Sequence, residues 1–276
     1  MQRRIRRDRI ARVAATVFLA MLLAACQGST GASSSASPAS VETSSPAPAA
    51  SSLAAITPRP TAPPLPLAIP RPTDLPTDGA CESGHTCLGL LGPGTYHTKA
   101  FRPGFEFTIS AGSWENLADT GGDLLLQSID SPGDVIAFFR QPRATKPDGT
   151  LVAGVSINVN AIDAWLAANE ALAVSPPTPV SVGGLSGVRR DITLAPGVQS
   201  HQSDCPVQAC ALVFLGRSST WEWTWGFAGP ERQRLYLLSA PDGVVAVFVD
   251  SLDGTTFETL TKAADKILAT VKFDGT

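Results

Sequence analysis

Between Gln27 and Asp78 the chain holds eleven prolines among serine, alanine and threonine, and not one aromatic side chain. Such a stretch cannot bury enough apolar surface to offset the entropy of ordering it, so it reads as a disordered tether. The first half is Ser/Ala-rich and flexible. The second, from Pro58 to Pro76, favours extended polyproline II, and the whole would reach roughly 100–150 Å if mostly extended. Any core must therefore come from the 198 residues of 79–276, an ordinary size for one domain.

Six arginines against Asp8 give the first 25 residues a net charge of +5, which leaves −8 for the remainder of a chain whose total is −3. A folded part this acidic is a poor partner for nucleic acid or an anionic lipid surface. After Arg12 comes Val13 to Ala25, apolar except for Thr16, too short for a stable span. Basic stretch, apolar stretch and small residues in that order predict an export signal over 1–25. It ends in Leu23-Ala24-Ala25-Cys26, which resembles the lipobox of bacterial lipoproteins. The resemblance implies a diacylglycerol on Cys26, a 26–78 segment that is lipidated cysteine plus tether, and an address on the extracytoplasmic face of the cell membrane. Several acyl chains, at ~0.8 kcal/mol per buried CH₂, would make that anchoring stable.

Four cysteines remain: Cys81, Cys87, Cys205 and Cys210. An even count in an exported chain predicts disulfides, and of three possible connectivities the local pairs Cys81–Cys87 and Cys205–Cys210 close short, turn-rich loops. A zinc site with His85 and His201 is the alternative, but neither pair has the C-x₂-C spacing. No metal and no cofactor is expected.

Alternation predicts strands over Phe101–Ile109, Leu151–Val159, Ala211–Leu215, Trp221–Phe227, Arg234–Leu238 and Val244–Val249. Shorter buried strands are expected around Leu124–Leu126 and Val135–Phe139. Val180–Val182 and Val188–Leu194 flank Gly183-Gly184 as a hairpin. One helix should start at Asn160 as N-cap, with Ile162, Trp165 and Leu166 on one face. A terminal helix should open on a Thr255/Glu258 capping box, with a Glu258–Lys262 pair on its wet side. Phe257, Leu260, Ala264, Ile267, Leu268 and Val271 form its apolar stripe, with Val271–Phe273 returning as an edge segment.

The run Phe105-Glu106-Phe107-Thr108-Ile109-Ser110-Ala111-Gly112-Ser113-Trp114 resembles the opening strand, small turn and tryptophan of PsbP-like domains, including the LpqN and DcrB lipoproteins. The closing stretch Val244–Phe273 is similar to their C-terminal end. Ser110 and Ser113 depart from the proline and glycine more typical of that turn, and the two cysteine pairs are additions. The resemblance implies an α+β fold, an antiparallel sheet packed with helices, in a single domain over 79–276. It carries over no catalytic residue.

The usual catalytic signatures are missing. Gly184-Leu185-Ser186-Gly187 has its serine one place off the nucleophile elbow, and no phosphate-binding loop or H-E-x-x-H occurs. A serine hydrolase would need His85, His97 or His201 as base. Asp119, Asp123 and Asp130 lack calcium-loop spacing and read as a solvated loop. Trp221, Trp223, Trp225 and Phe227 alternate on one strand face. They read as core against the terminal helix, with a binding platform for a sugar ring or lipid tail as the other reading. The expected function is a non-catalytic module that binds a small ligand or an envelope partner. An anchored hydrolase with a dispersed active site is the alternative.

Overall fold

A computed structural model describes residues 72–77, 79, 88–199, 209–217 and 222–275. The expected signal, Cys26, most of the tether, Cys81, Cys87, Cys205, His85 and His201 lie outside the described residues.

Sixteen strands and two short helices make up the described chain, so the fold is predominantly β. This corrects the expected α+β architecture with packed helices. Helical periodicity is confined to Val159–Ala167 (α1) and Phe257–Leu268 (α2). Period-2 patterning runs through nearly everything else, and strand pairing follows it.

The largest sheet has nine strands. Its order is β10 (Thr178–Val182), β11 (Leu185–Leu194), β14 (Arg232–Ala240), β15 (Gly243–Ser251), β7 (Asp134–Arg140), β6 (Asp123–Ser128), β5 (Trp114–Asp119) and β2 (Gly89–Leu91). The ninth strand, β9 (Leu172–Val174), pairs with the far half of β11, and every pairing in this sheet is antiparallel. A four-stranded sheet joins β1 (Thr73–Asp74), β3 (Gly94–His97), β4 (Phe105–Ile109) and β16 (Lys272–Phe273). A three-stranded sheet joins β13 (Glu222–Ala228), β12 (Cys210–Arg217) and β8 (Arg143–Ala144).

Central strand β15 explains the layering. It is buried on both faces, which is why it reads as an almost unbroken apolar run. Val245, Val247 and Val249 face one core with Phe105, Phe138 and the stripe Leu260, Ala264 and Ile267 of α2. Val244, Ala246 and Phe248 face a second core with Ile162 and Leu166 of α1, and with Val213, Phe214 and Phe227 of the small sheet. A helix and the four-stranded sheet thus cover one face of the large sheet. The other is covered by the three-stranded sheet and α1, where a helical layer had been expected.

Local signals held in some places and failed in others. Gly183 and Gly184 have φ of 57° and 85°, the two left-handed residues that a tight hairpin turn requires, and Val182 pairs with Leu185 across them. A Cβ on Gly183 would also come within 2.7 Å of the Phe273 ring. The strand expected over Leu151–Val159 is absent: Leu151 makes one isolated bridge to Thr145, and Gly154 turns the chain at φ 83°. The α1 cap is Asn158 rather than Asn160, its side chain accepting the Ala161 N–H at 2.9 Å. At α2 the cap is Thr256, and the Thr255/Glu258 box does not form. The Thr256 hydroxyl is drawn away into tertiary bonds, donating to Asp134 at 2.7 Å and meeting Ser251 at 2.8 Å. Glu258, expected to pair with Lys262, receives Arg232 at 3.2 Å.

The folded part also starts earlier than residue 79. Thr73 and Asp74 pair in parallel with Tyr96 and His97, Leu75 is buried, and the Asn116 amide donates to the Pro76 carbonyl at 3.1 Å.

Candidate functional site

Strand β11 changes partner along its length, from β10 over its first half to β9 over its last three residues. Pro176-Pro177 prevents one continuous partner, because proline cannot donate to the ladder. Ser175 bridges the gap: its N–H donates to the Asp191 carbonyl at 2.9 Å, and its Oγ accepts the Asp191 N–H at 2.8 Å. Beside this irregular edge is an open cleft of about 320 Å³, lined by Ala173, Ser175, Asp191, Thr193, Arg232 and Phe257 among others. Thr193 and Arg232 are cross-strand neighbours, and Asp191 faces Arg234 in the same way.

The charges in the cleft differ in availability. The Asp191 carboxylate takes Nε and Nη2 of Arg234 at 2.7 and 3.1 Å, a two-pronged bond that pushes the Arg234 guanidinium further up from its ordinary range. Arg232 lies 4.1 Å above the Phe257 ring centroid and meets the exposed Glu258. Its side chain is 41% exposed, so part of it reaches solvent on the strand opposite Thr193. Next to it the Tyr236 hydroxyl donates to Asp265 at 2.6 Å, and burial together with that carboxylate pushes the phenol up.

A second polar cluster lies on the opposite face of the sheet. Gln233 and Asp250 pair across β14 and β15, and Glu231 precedes β14 in the turn from β13. Glu231 and Asp250 are each 8% exposed. Burial pushes Glu231 up to about 8. Burial also pushes Asp250 well above the carboxylate range, and the neighbouring charges of Glu231 and Asp134 push it further. Asp134 is itself raised, mainly by desolvation.

The tryptophan strand is only partly visible. Trp221 lies outside the described residues, and Trp223 contributes its backbone to β13 opposite Gly216, its side chain lying outside what is described. Trp225 packs at 5.0 Å from Phe139 and 5.3 Å from Phe248, with its indole N–H donating to Gln233 Oε1 at 3.0 Å. It therefore fills the core that α1 shares, not the one beneath the terminal helix. Cys210 is disulfide-bonded, its partner lying outside the described residues.

The remaining sequence candidates separate. His97 meets Asp274 at 3.2 Å on the four-stranded sheet. The Asp119 carboxylate accepts the backbone N–H groups of Lys99, Ala100 and Phe101, so it ties a loop together. Asp123 is buried and bonded to Thr120, which corrects its reading as solvated. Among the described residues no group of three or more His, Cys, Asp or Glu is placed to hold a metal ion. Arg232, Glu231 and Asp250 were missed. One signal was available: Asp250 closes a six-residue apolar run, and a carboxyl there has to be paired or protonated.

No family model matches the sequence, and no curated protein matches it. A crystal structure from Bacteroides thetaiotaomicron VPI-5482 is similar at 15% identity with a TM-score of 0.26, a likeness too slight to define a shared fold. The match covers 61% of this chain and 44% of that one.

Proposed function

We propose that the chain is a lipid-anchored protein of the bacterial cell envelope, whose β domain binds a ligand without transforming it at the end of a long tether. The observation that carries this reading is the state of the groups in the cleft. The two that could perform chemistry are already committed, Asp191 to Arg234 and the Ser175 Oγ to the Asp191 N–H. The Arg232 guanidinium, whose ion pair with the exposed Glu258 is weak enough for a ligand to replace, and the cross-strand Thr193 hydroxyl serve as recognition groups, a donor set suited to a carboxylate or phosphate. A hydrolase would need a positioned acid–base pair there. The Glu231–Asp250 carboxyls cannot supply one, since alternation along β14 places Gln233 and Arg232 on opposite faces.

Anchoring is tested by fractionation. Wild type is expected in the membrane fraction and Cys26→Ala in the soluble fraction; equal membrane retention would remove the lipid from the proposal.

Binding is tested with the full chain, using N-acetylmuramic acid and glycerol phosphate as carboxylate and phosphate probes. Arg232→Ala should weaken whichever probe binds by more than about tenfold, the equivalent of one charge-assisted hydrogen bond. Turnover of generic ester, peptide or glycoside substrates, lost on substituting Asp191 or Ser175, would establish the hydrolase instead.

A further inference from the structure

The cations on the nine-stranded sheet are all arginines: Arg140, Arg189, Arg190, Arg232 and Arg234. Four of them are matched to carboxylates, Arg140 to Asp242, Arg190 to Asp163, Arg232 to Glu258, and Arg234 to both Asp191 and Asp265. Arg189 is the exception. It is half-buried, yet no hydrogen bond or ion pair reaches its guanidinium among the described residues. Partial burial of a cation with no counter-charge opposes folding, and the same group gains when an anion arrives.

Register places Arg189 in line with the cleft. Along β11 and β14 the cross-strand pairs are Thr193 with Arg232, Asp191 with Arg234, and Arg189 with Tyr236. Alternation puts all six side chains on the face that α2 partly covers, where Arg234 and Tyr236 meet Asp265. The Arg189 charge acts on the Tyr236 phenol, where it opposes part of the upward push. Between the two ends, Asp191 and Asp265 are 41% and 47% exposed, so the stripe is open to solvent there. Both of these carboxylates are held by Arg234. Arg232 and the position of Arg189 are four residues apart along the ladder, about 13 Å.

We infer that the ligand of the cleft is an extended polyanion with repeating phosphate or carboxylate groups, lying along β11 with one anionic group on Arg232 and another on Arg189. This rests on Arg232 being an anion-recognition group, and adds a second subsite and a minimum length. A single small anion occupies Arg232 alone. A chain with anions on the order of 10–15 Å apart reaches both arginines, and binding at the first makes the second contact intramolecular. A polymer without bases fits the stripe better than a nucleic acid does. The aromatic rings there, Tyr236 and Phe257, are buried and offer no stacking platform.

Calorimetric titration of the full chain compares glycerol phosphate with a glycerol phosphate oligomer, and galacturonate with an oligogalacturonate. Wild type should bind one of the two oligomers at least about tenfold more tightly than its monomer, the equivalent of one added charge-assisted hydrogen bond. Which oligomer shows the gain identifies the anion as phosphate or carboxylate. Arg189→Met keeps the aliphatic stem and loses the charge. It should abolish the oligomer's advantage, leave the monomer's affinity unchanged and melt within about 2 °C of wild type. Lys99→Ala, which removes an exposed charge from the β3–β4 loop, should change no affinity. Arg232→Ala should weaken monomer and oligomer together.

An oligomer advantage that survives in Arg189→Met overturns the proposal. So does the lack of any advantage while Arg232→Ala still weakens the monomer, a result that leaves the cleft as a small-anion site. No binding of any probe overturns the cleft and the second subsite together. An oligodeoxythymidylate that binds as tightly as the better oligomer, and loses affinity in Arg189→Met, would make the stripe a nucleic-acid site instead. A Tm loss above about 5 °C in Arg189→Met would show that the guanidinium has a structural partner, and the proposal falls.

Discussion

Replacing Phe248 with alanine is expected to cost about 3–5 kcal/mol of stability, the range for deleting a fully buried aromatic ring whose surroundings cannot collapse. Phe248 is fully buried on β15, with both sheet neighbours, β14 and β7, in place. Its ring lies 5.5 Å from Phe139, 5.5 Å from Phe214 and 5.3 Å from Trp225. Those three partners come from β7, β12 and β13, so the ring joins the large sheet to the small one. The backbone of β15 is held on both sides and cannot move in to fill the gap. Denaturant unfolding of wild type and variant measures the loss. A change below about 1 kcal/mol would show that the small sheet does not pack on the large one as described.

Asp163→Ala should be nearly as damaging, at about 3 kcal/mol or more. Arg190 on β11 reaches α1 through a two-pronged bond to Asp163, Nε to one carboxylate oxygen and Nη2 to the other at 2.8 Å. Its side chain is 9% exposed and that of Asp163 is 18% exposed. Removing the carboxylate strands a buried guanidinium whose remaining partner among the described residues is the Ser175 carbonyl, at 2.6 Å. Breaking one side of a buried pair costs about 3–5 kcal/mol, whereas exchanging both sides for apolar groups costs little. The Asp163→Leu/Arg190→Met double variant should therefore recover much of the loss. Thermal unfolding of the two variants makes the comparison. Equal losses would mean that the pair acts by packing alone.

Local patterning read the strands well. Phe105 and Phe107 share the face their alternation predicted, and both are buried. The Gly183-Gly184 hairpin and the stripe of α2 are where the periodicity placed them. Each depends on neighbours within a few residues, so each is written in the local sequence. Caps were less legible. The caps are Asn158 and Thr256 rather than Asn160 and Thr255: the Asn158 side chain caps α1 locally, whereas the Thr256 hydroxyl makes no cap bond because Asp134, distant in sequence, takes it.

The candidate sites were almost wholly hidden. The cleft needs Ser175, Asp191, Arg232 and Phe257 brought together from four elements, and spacing along the chain records none of those meetings. The carboxyl pair arises because Glu231 enters β14 two residues before Gln233, whose cross-strand partner happens to be Asp250. Register is a long-range property, set by whole strands, and one residue of slip would send Asp250 to the other face.

The sequence by itself determined most of the strands, because period-2 alternation acts locally. Only the tertiary structure decided what covers each face of the large sheet. An apolar strand face demands burial, but a helix or another sheet satisfies that demand equally well. The strands flanking Gly216 and Trp225 lie against Phe139 and Phe248 where helices were expected. That choice made the domain mostly β, and it enclosed the two carboxyls at the corner where the sheets meet.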